Sequence, residues 1–123
     1  MASNAQDIHI PSGGAQVPAY LVLPEGPGPH PGLLLIEEIF GVNGHIKGLT
    51  GRFAAEGYVA IAPEMYYRQG KGLVAGYAEM DKVMPLYRSM DDTQAIADAR
   101  TAIDFAKGLP KARTDRIGCT GYC

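Results

Sequence analysis

Cys123 is the residue of this sequence best suited to covalent chemistry. It closes the run Gly118-Cys119-Thr120-Gly121-Tyr122-Cys123, and Arg116–Thr120 just before it reads as a strand. A strand leading into glycine, one residue and a nucleophile is the first half of a nucleophile elbow. The glycine two positions before the nucleophile keeps the turn uncrowded. The turn then lifts the side chain above a sheet's C-terminal edge, onto the N-terminus of the next helix, where a thiol ionises more readily. The competing reading is a structural cysteine buried after an ordinary strand. Glu37 and Glu38 form the second signal, in Glu37-Glu38-Ile39-Phe40-Gly41-Val42-Asn43-Gly44. Paired carboxylates at a strand's end must find partners or water. In enzymes built around an elbow, the loop at this place supplies one backbone N–H to the oxyanion. The competing reading is a solvated loop that caps a helix.

These residues need a frame, and hydrophobic patterning supplies one. Gln6–Ile10 and Gln16–Leu23 read as strands joined by the turn residues Pro11-Ser12-Gly13-Gly14. Val17, Ala19, Leu21 and Leu23 share one face of the second strand. Pro18 has no N–H to donate, which predicts an edge or peripheral strand. The aliphatic run Leu33–Ile36 suits a strand buried on both faces, as in a parallel sheet. A helix from His45 to Glu56 places Ile46, Leu49, Phe53 and Ala54 on one face, with Gly57 at the C′ position. Tyr58–Ala62 is a further buried strand, stopped by Pro63. Residues 64–90 are less regular, with a helix around Gly76–Met84. A clearer helix starts at Asp91 or Asp92, carries Ile96, Ala99, Ile103 and Ala106 on one face, and closes at Lys107-Gly108. The order β-β-β-α-β-α-β predicts an α/β architecture, with an antiparallel N-terminal hairpin beside a mostly parallel sheet flanked by helices.

Composition narrows the partners. The 123 residues carry 11 basic and 13 acidic side chains, a net charge of −2, which offers no electrostatic footprint for nucleic acid. With 46% hydrophobic residues the chain is not of the disordered class. Its longest aliphatic run is far too short to span a bilayer, and residues 1–12 lack the pattern of a secretory signal. Two cysteines give no disulfide framework and point to a reducing, cytoplasmic setting. Cys119 and Cys123 lack the second ligand pair a zinc site needs. Gly26-Pro27-Gly28 precedes a strand and so is no dinucleotide fingerprint. No basic patch accompanies Tyr66, Tyr67, Tyr77 and Tyr87, so they read as packing and cleft wall. Neither a metal nor a cofactor is expected.

Taken together, Ile36-Glu37-Glu38-Ile39-Phe40-Gly41-Val42-Asn43, Ala54-Ala55-Glu56-Gly57-Tyr58-Val59-Ala60, Ala62-Pro63-Glu64-Met65-Tyr66-Tyr67-Arg68-Gln69-Gly70 and Gly121-Tyr122-Cys123 resemble the dienelactone hydrolase (carboxymethylenebutenolidase) family. The resemblance runs from about residue 5 to the end. It implies an α/β-hydrolase fold and hydrolysis of a cyclic enol-lactone, or of a broader range of small esters, without a metal. By the resemblance Cys123 is the nucleophile that forms the acyl-enzyme. Glu38 is the residue that contacts the resting thiol and helps activate it, and the Ile39 N–H is one oxyanion donor. The second donor is the N–H after the cysteine.

The acid and the histidine of an α/β-hydrolase follow the nucleophile in chain order. His9, His30 and His45 all precede Cys123, so both partners are expected beyond it. On this reading residues 1–123 are the N-terminal half of one α/β-hydrolase domain ending at its elbow, part of a protein that is a monomer when complete. Arg88, beside Tyr87, could face the cleft and meet a substrate carboxylate, against the plainer reading of a solvated surface arginine. Arg68 reads as structural. Cys119 is expected to be buried behind the elbow and slow to alkylate. The alternative from a different class is a non-catalytic α/β module that binds a ligand at the sheet's C-terminal edge, which the lack of a glycine-rich phosphate loop disfavours.

Overall fold

The computed structural model describes residues 4–70 and 72–122. The elements in chain order are β1 (Ala5–Ser12), β2 (Ala15–Val22), β3 (His30–Ile36), α1 (Gly44–Ala55), β4 (Val59–Pro63), α2 (Met80–Arg88), α3 (Asp92–Lys107) and β5 (Ala112–Gly121). Gly13 and Gly14 both take positive φ, 55° and 84°. That turn matches the twist of a tight hairpin, and β1 and β2 pair antiparallel from Ser12↔Ala15 outward.

The strands form one sheet in the order β1-β2-β4-β3-β5. β2 runs antiparallel to β4, whereas β3 is parallel to both β4 and β5. The sheet is therefore evenly mixed, the hairpin half antiparallel and the β4-β3-β5 half parallel.

Alternation along the central strands sends successive side chains to opposite faces. Leu34, Val59 and Ile61 join Val17, Ala19 and Leu21 in one core, closed by Ala102 and Ala106 of α3. Leu35, Ala60 and Ala62 join Val22 in the other, closed by Ile46 and Ala54 of α1. Two-sided burial is why β3 and β4 read as continuous apolar runs. The Asn43 side chain caps α1 by accepting from the Ile46 N–H at 3.0 Å.

Four expectations are corrected. β2 lies inside the sheet, not at its periphery. The Pro18 carbonyl accepts from the Glu64 N–H at 2.9 Å, one residue past the end of the β2–β4 ladder. The N of a strand residue faces the same side as its carbonyl, so the missing donor falls where the ladder has already ended. Of the expected inward face of α3, Ala106 is buried and Ala99 and Ile103 pack against the core, but Ile96 is 60% exposed, and Asp98 and Ala102 are buried as well. The helix is rotated because Asp98, 2% exposed, is bound by Arg68 through two hydrogen bonds of 3.1 Å and by Ser12 and Gln94. Cys119 is exposed on β5, an edge strand, rather than buried. The helix expected near Gly76–Met84 begins four residues later, because Gly76 and Glu79 close a turn on each other first.

The chain leaves β3 toward β4 on one side and later returns to β5 on the other. Strand order thus reverses at β3, and α1 and α3 cover opposite faces. In open α/β sheets the crevice at such a switch point, beyond the strands' C-terminal ends, is where ligands bind. Ile36 and Gly121 pair there, and the residues that follow them are Glu37 and Tyr122.

Candidate active site

The loop after β3 is built around a tight turn. The Glu38 carbonyl accepts from the Gly41 N–H at 3.1 Å. The peptide joining Glu38 to Ile39 is trans, so its N–H points opposite to its C=O. Locking the Glu38 carbonyl into the turn therefore aims the Ile39 N–H outward. Among the described residues that N–H meets no backbone or side-chain acceptor. The next peptide is held as well, since the Tyr66 hydroxyl donates to the Ile39 carbonyl at 2.7 Å.

Gly41 is required on two counts. Its φ is +95°, and a Cβ there would lie 2.1 Å from the Leu73 carbonyl oxygen. Residues 72–79 clamp the turn from outside. The Ala75 N–H donates to the Phe40 carbonyl at 3.0 Å, and the Tyr77 ring meets Phe40 edge-on with centroids 4.7 Å apart. The Tyr77 hydroxyl donates to Glu38 Oε1 at 3.0 Å, which raises the Tyr77 pKa. Glu64 anchors the same segment by accepting from the Gly72 N–H at 2.8 Å.

Glu37, Glu38, Ile39, Tyr66, Tyr87 and Tyr122 share the wall of a cavity of about 400 Å³, its remaining surface mostly apolar. This is the switch-point crevice. The Tyr122 N–H donates to the Ile36 carbonyl at 3.2 Å, which ties the end of β5 to the root of the loop. Cys123 lies outside the described residues, and it follows directly on this wall residue.

Glu38, Ile39 and Tyr87 are thus brought together. Arg88 is exposed and is not part of the wall. Arg68, held by Asp98, is a structural cation as expected. His9, His30 and His45 lie away from the cavity, on β1, on β3 and at the start of α1. No group of three metal-ligating side chains converges among the described residues.

The separate role of Glu37 and the hydrogen bonds of Tyr66 and Tyr77 escaped the sequence reading. Glu37 is 8% exposed. Its Oε1 accepts from the Met65 N–H, and its Oε2 is buried without a partner among the described residues. Burial pushes its pKa from 4.5 up to about 8, with the Glu64 charge adding and the Met65 and Tyr66 backbone N–H groups opposing. The signal was present. Successive residues of an extended chain point to opposite faces, so two glutamates ending a strand buried on both faces cannot both reach water. Tyr66, whose burial raises its pKa to about 12, and Tyr77 carried no comparable mark in a stretch rich in tyrosine.

Two glutamates and an outward-facing backbone N–H thus share the crevice at the end of β5. Known proteins share this framework. Residues 17–123 match the family model of the dienelactone hydrolase family. A provisionally named carboxymethylenebutenolidase of Methylorubrum extorquens is 40% identical over 97% of this chain and 40% of its own length. A Synechocystis protein of the same provisional name is 36% identical over 94% of this chain and 48% of its own. The crystal structure of a provisionally named dienelactone hydrolase from Klebsiella pneumoniae superposes with a TM-score of 0.83 at 37% identity, covering 97% of this chain and 49% of that one. The chain therefore spans about half the length of the relatives it matches, or somewhat less.

Proposed function

Because the chain belongs to the dienelactone hydrolase family, we propose that it carries the nucleophile half of an α/β-hydrolase domain that cleaves the ester bond of a dienelactone-type lactone through a cysteine acyl-enzyme. The observation that carries this reading is the Ile39 N–H, aimed by the Glu38–Gly41 turn beside a cavity whose wall includes Tyr122. Cys123, as thiolate, attacks the carbonyl carbon. The C–O bond breaks, and the lactone opens to a thioester and an enolate, which takes back the proton that the thiol gave up to the base. Water then attacks the thioester, releasing the acid and the thiol. The oxyanion of each step is met by the Ile39 N–H, with the N–H after Cys123 as the second donor. Glu38, held by Tyr77 in the resting site, takes part in activating the thiol. The histidine base and its acid come from beyond residue 123.

The mostly apolar wall, with Arg88 outside it, supports a second reading of the same chemistry. In that reading the substrates are uncharged carboxylic esters of broader range. One experiment tests both. The full-length protein is mixed with p-nitrophenyl acetate and with a dienelactone, and the acylated residue is mapped by mass spectrometry. An acetyl group on Cys123, absent in Cys123→Ala, is expected. Turnover that survives Cys123→Ala would overturn the cysteine mechanism, and a preference for the neutral ester would select the broader reading.

A further inference from the structure

The carboxyl of Glu37 is a buried titratable group in the cavity wall that the proposed mechanism does not use. It sits at the strand-order switch, in the wall of the cavity. One oxygen is occupied by the Met65 N–H, and the other is buried with no partner among the described residues. An ionised carboxylate is acceptor-only, and burying its unpaired oxygen is costly. A protonated one carries a donor that needs an acceptor. The charged and titratable groups around it are Glu64, Glu38, Tyr66, Tyr87 and Tyr122; burial and the Glu64 charge favour keeping the proton on Glu37, against the Met65 and Tyr66 N–H groups.

We propose that Glu37 is a substrate-binding residue that works as a neutral carboxylic acid, donating the hydrogen on Oε2 to an acceptor oxygen of the bound molecule. This rests on the hydrolase reading for the identity of that oxygen, the carbonyl or ring oxygen of an ester or lactone. The geometry suits the role. Met65 fixes one carboxyl oxygen, so the direction of the other is set before binding, and a bound molecule reaches it by displacing the atoms that now cover it. The upward shift of the Glu37 pKa to about 8 keeps this donor in place at neutral pH and removes it in mild alkali.

The test is binding of γ-butyrolactam, a lactone isostere that resists hydrolysis, to the full-length protein between about pH 6 and about pH 10, either side of the Glu37 titration. The Kd is expected to rise about five-fold or more across this range, the worth of one neutral hydrogen bond. Glu37→Gln keeps a donor that does not titrate, so it should bind with a Kd that is flat in pH. Glu37→Leu should bind weakly throughout. In infrared difference spectra of the wild type, the protonated-carboxyl band should be present at low pH and move to lower frequency when the lactam binds. This reading survives even if a variant misfolds. A flat wild-type Kd, the same pH dependence in Glu37→Gln, or no lactam binding at any pH would overturn the proposal. The lactam needs no turnover. Titrating binding without ester hydrolysis would sink the proposed function and leave Glu37 standing, and hydrolysis with flat binding would do the reverse.

Discussion

The carbonyl of Glu38 and the N–H of Gly41, 3.1 Å apart, set the direction of the Ile39 N–H. This contact fixes that direction, because a trans peptide cannot turn its N–H without turning its C=O. Gly41 holds the turn with a φ of +95° and comes so close to the Leu73 carbonyl that a Cβ would clash with backbone. Gly41→Ala should therefore lower kcat by about 100-fold, the penalty of misplacing a catalytic group by roughly 1 Å, with a smaller change in KM. Steady-state kinetics on the full-length protein check this, and an unaltered kcat would mean the Ile39 donor is not used.

Tyr66 braces the following peptide through its hydroxyl. Tyr66→Phe keeps the ring and removes the donor. It should cost about 1 kcal/mol of stability and lower kcat about five-fold by the same energy. Urea unfolding and kinetics read the two effects separately. Loss of stability with kcat intact would confine Tyr66 to folding.

Glu37 also couples stability to pH. The folded protein keeps a proton that the unfolded chain gives up above about pH 4.5. Its contribution is thus fully present below pH 4.5, declines as pH rises to about 8, and then levels off. The loss amounts to up to about 5 kcal/mol. Glu37→Gln removes the titration, so the difference in unfolding free energy between the two proteins should grow steadily from pH 4.5 to pH 8. Parallel stability curves over that range would show that Glu37 ionises normally.

Arg68 neutralises Asp98 beneath α3, and Asp98 is almost wholly buried while Arg68 keeps about a third of its side chain in water. Arg68→Met leaves the carboxylate with only Ser12 and Gln94 for partners. The expected loss is about 2 kcal/mol, below the range for a fully buried pair because the arginine is partly solvated. A urea midpoint equal to the wild type's would contradict this.

Elements governed by local rules were legible from the residues alone. The Leu33–Ile36 run and the Tyr58–Ala62 run announced strands with no wet face. The spacing of Ile46, Leu49, Phe53 and Ala54 announced the helix between them, and Gly57 its end. The Glu37–Asn43 segment announced the candidate site, since its place after a buried strand is a matter of sequence order.

What patterning could not supply was the fate of charged groups. Asp98 points into the core against the rule that carboxylates stay outside, because Arg68 arrives from a loop thirty residues earlier. That pairing turned α3 and left Ile96 in solvent. Pro18 argued for an edge strand, yet β2 is interior, since whether a missing N–H matters depends on where the neighbouring ladder stops. Between Glu37 and Glu38, adjacent and chemically identical, the sequence by itself determined only that both needed partners or water. Tertiary structure decided which was buried. The Met65 N–H and the apolar crevice enclose Glu37, while Tyr77 reaches Glu38 from the far side of the loop. Local propensity acts over a few residues, whereas burial and hydrogen-bond partners are set by contacts between distant ones, and only the folded chain brings those into being.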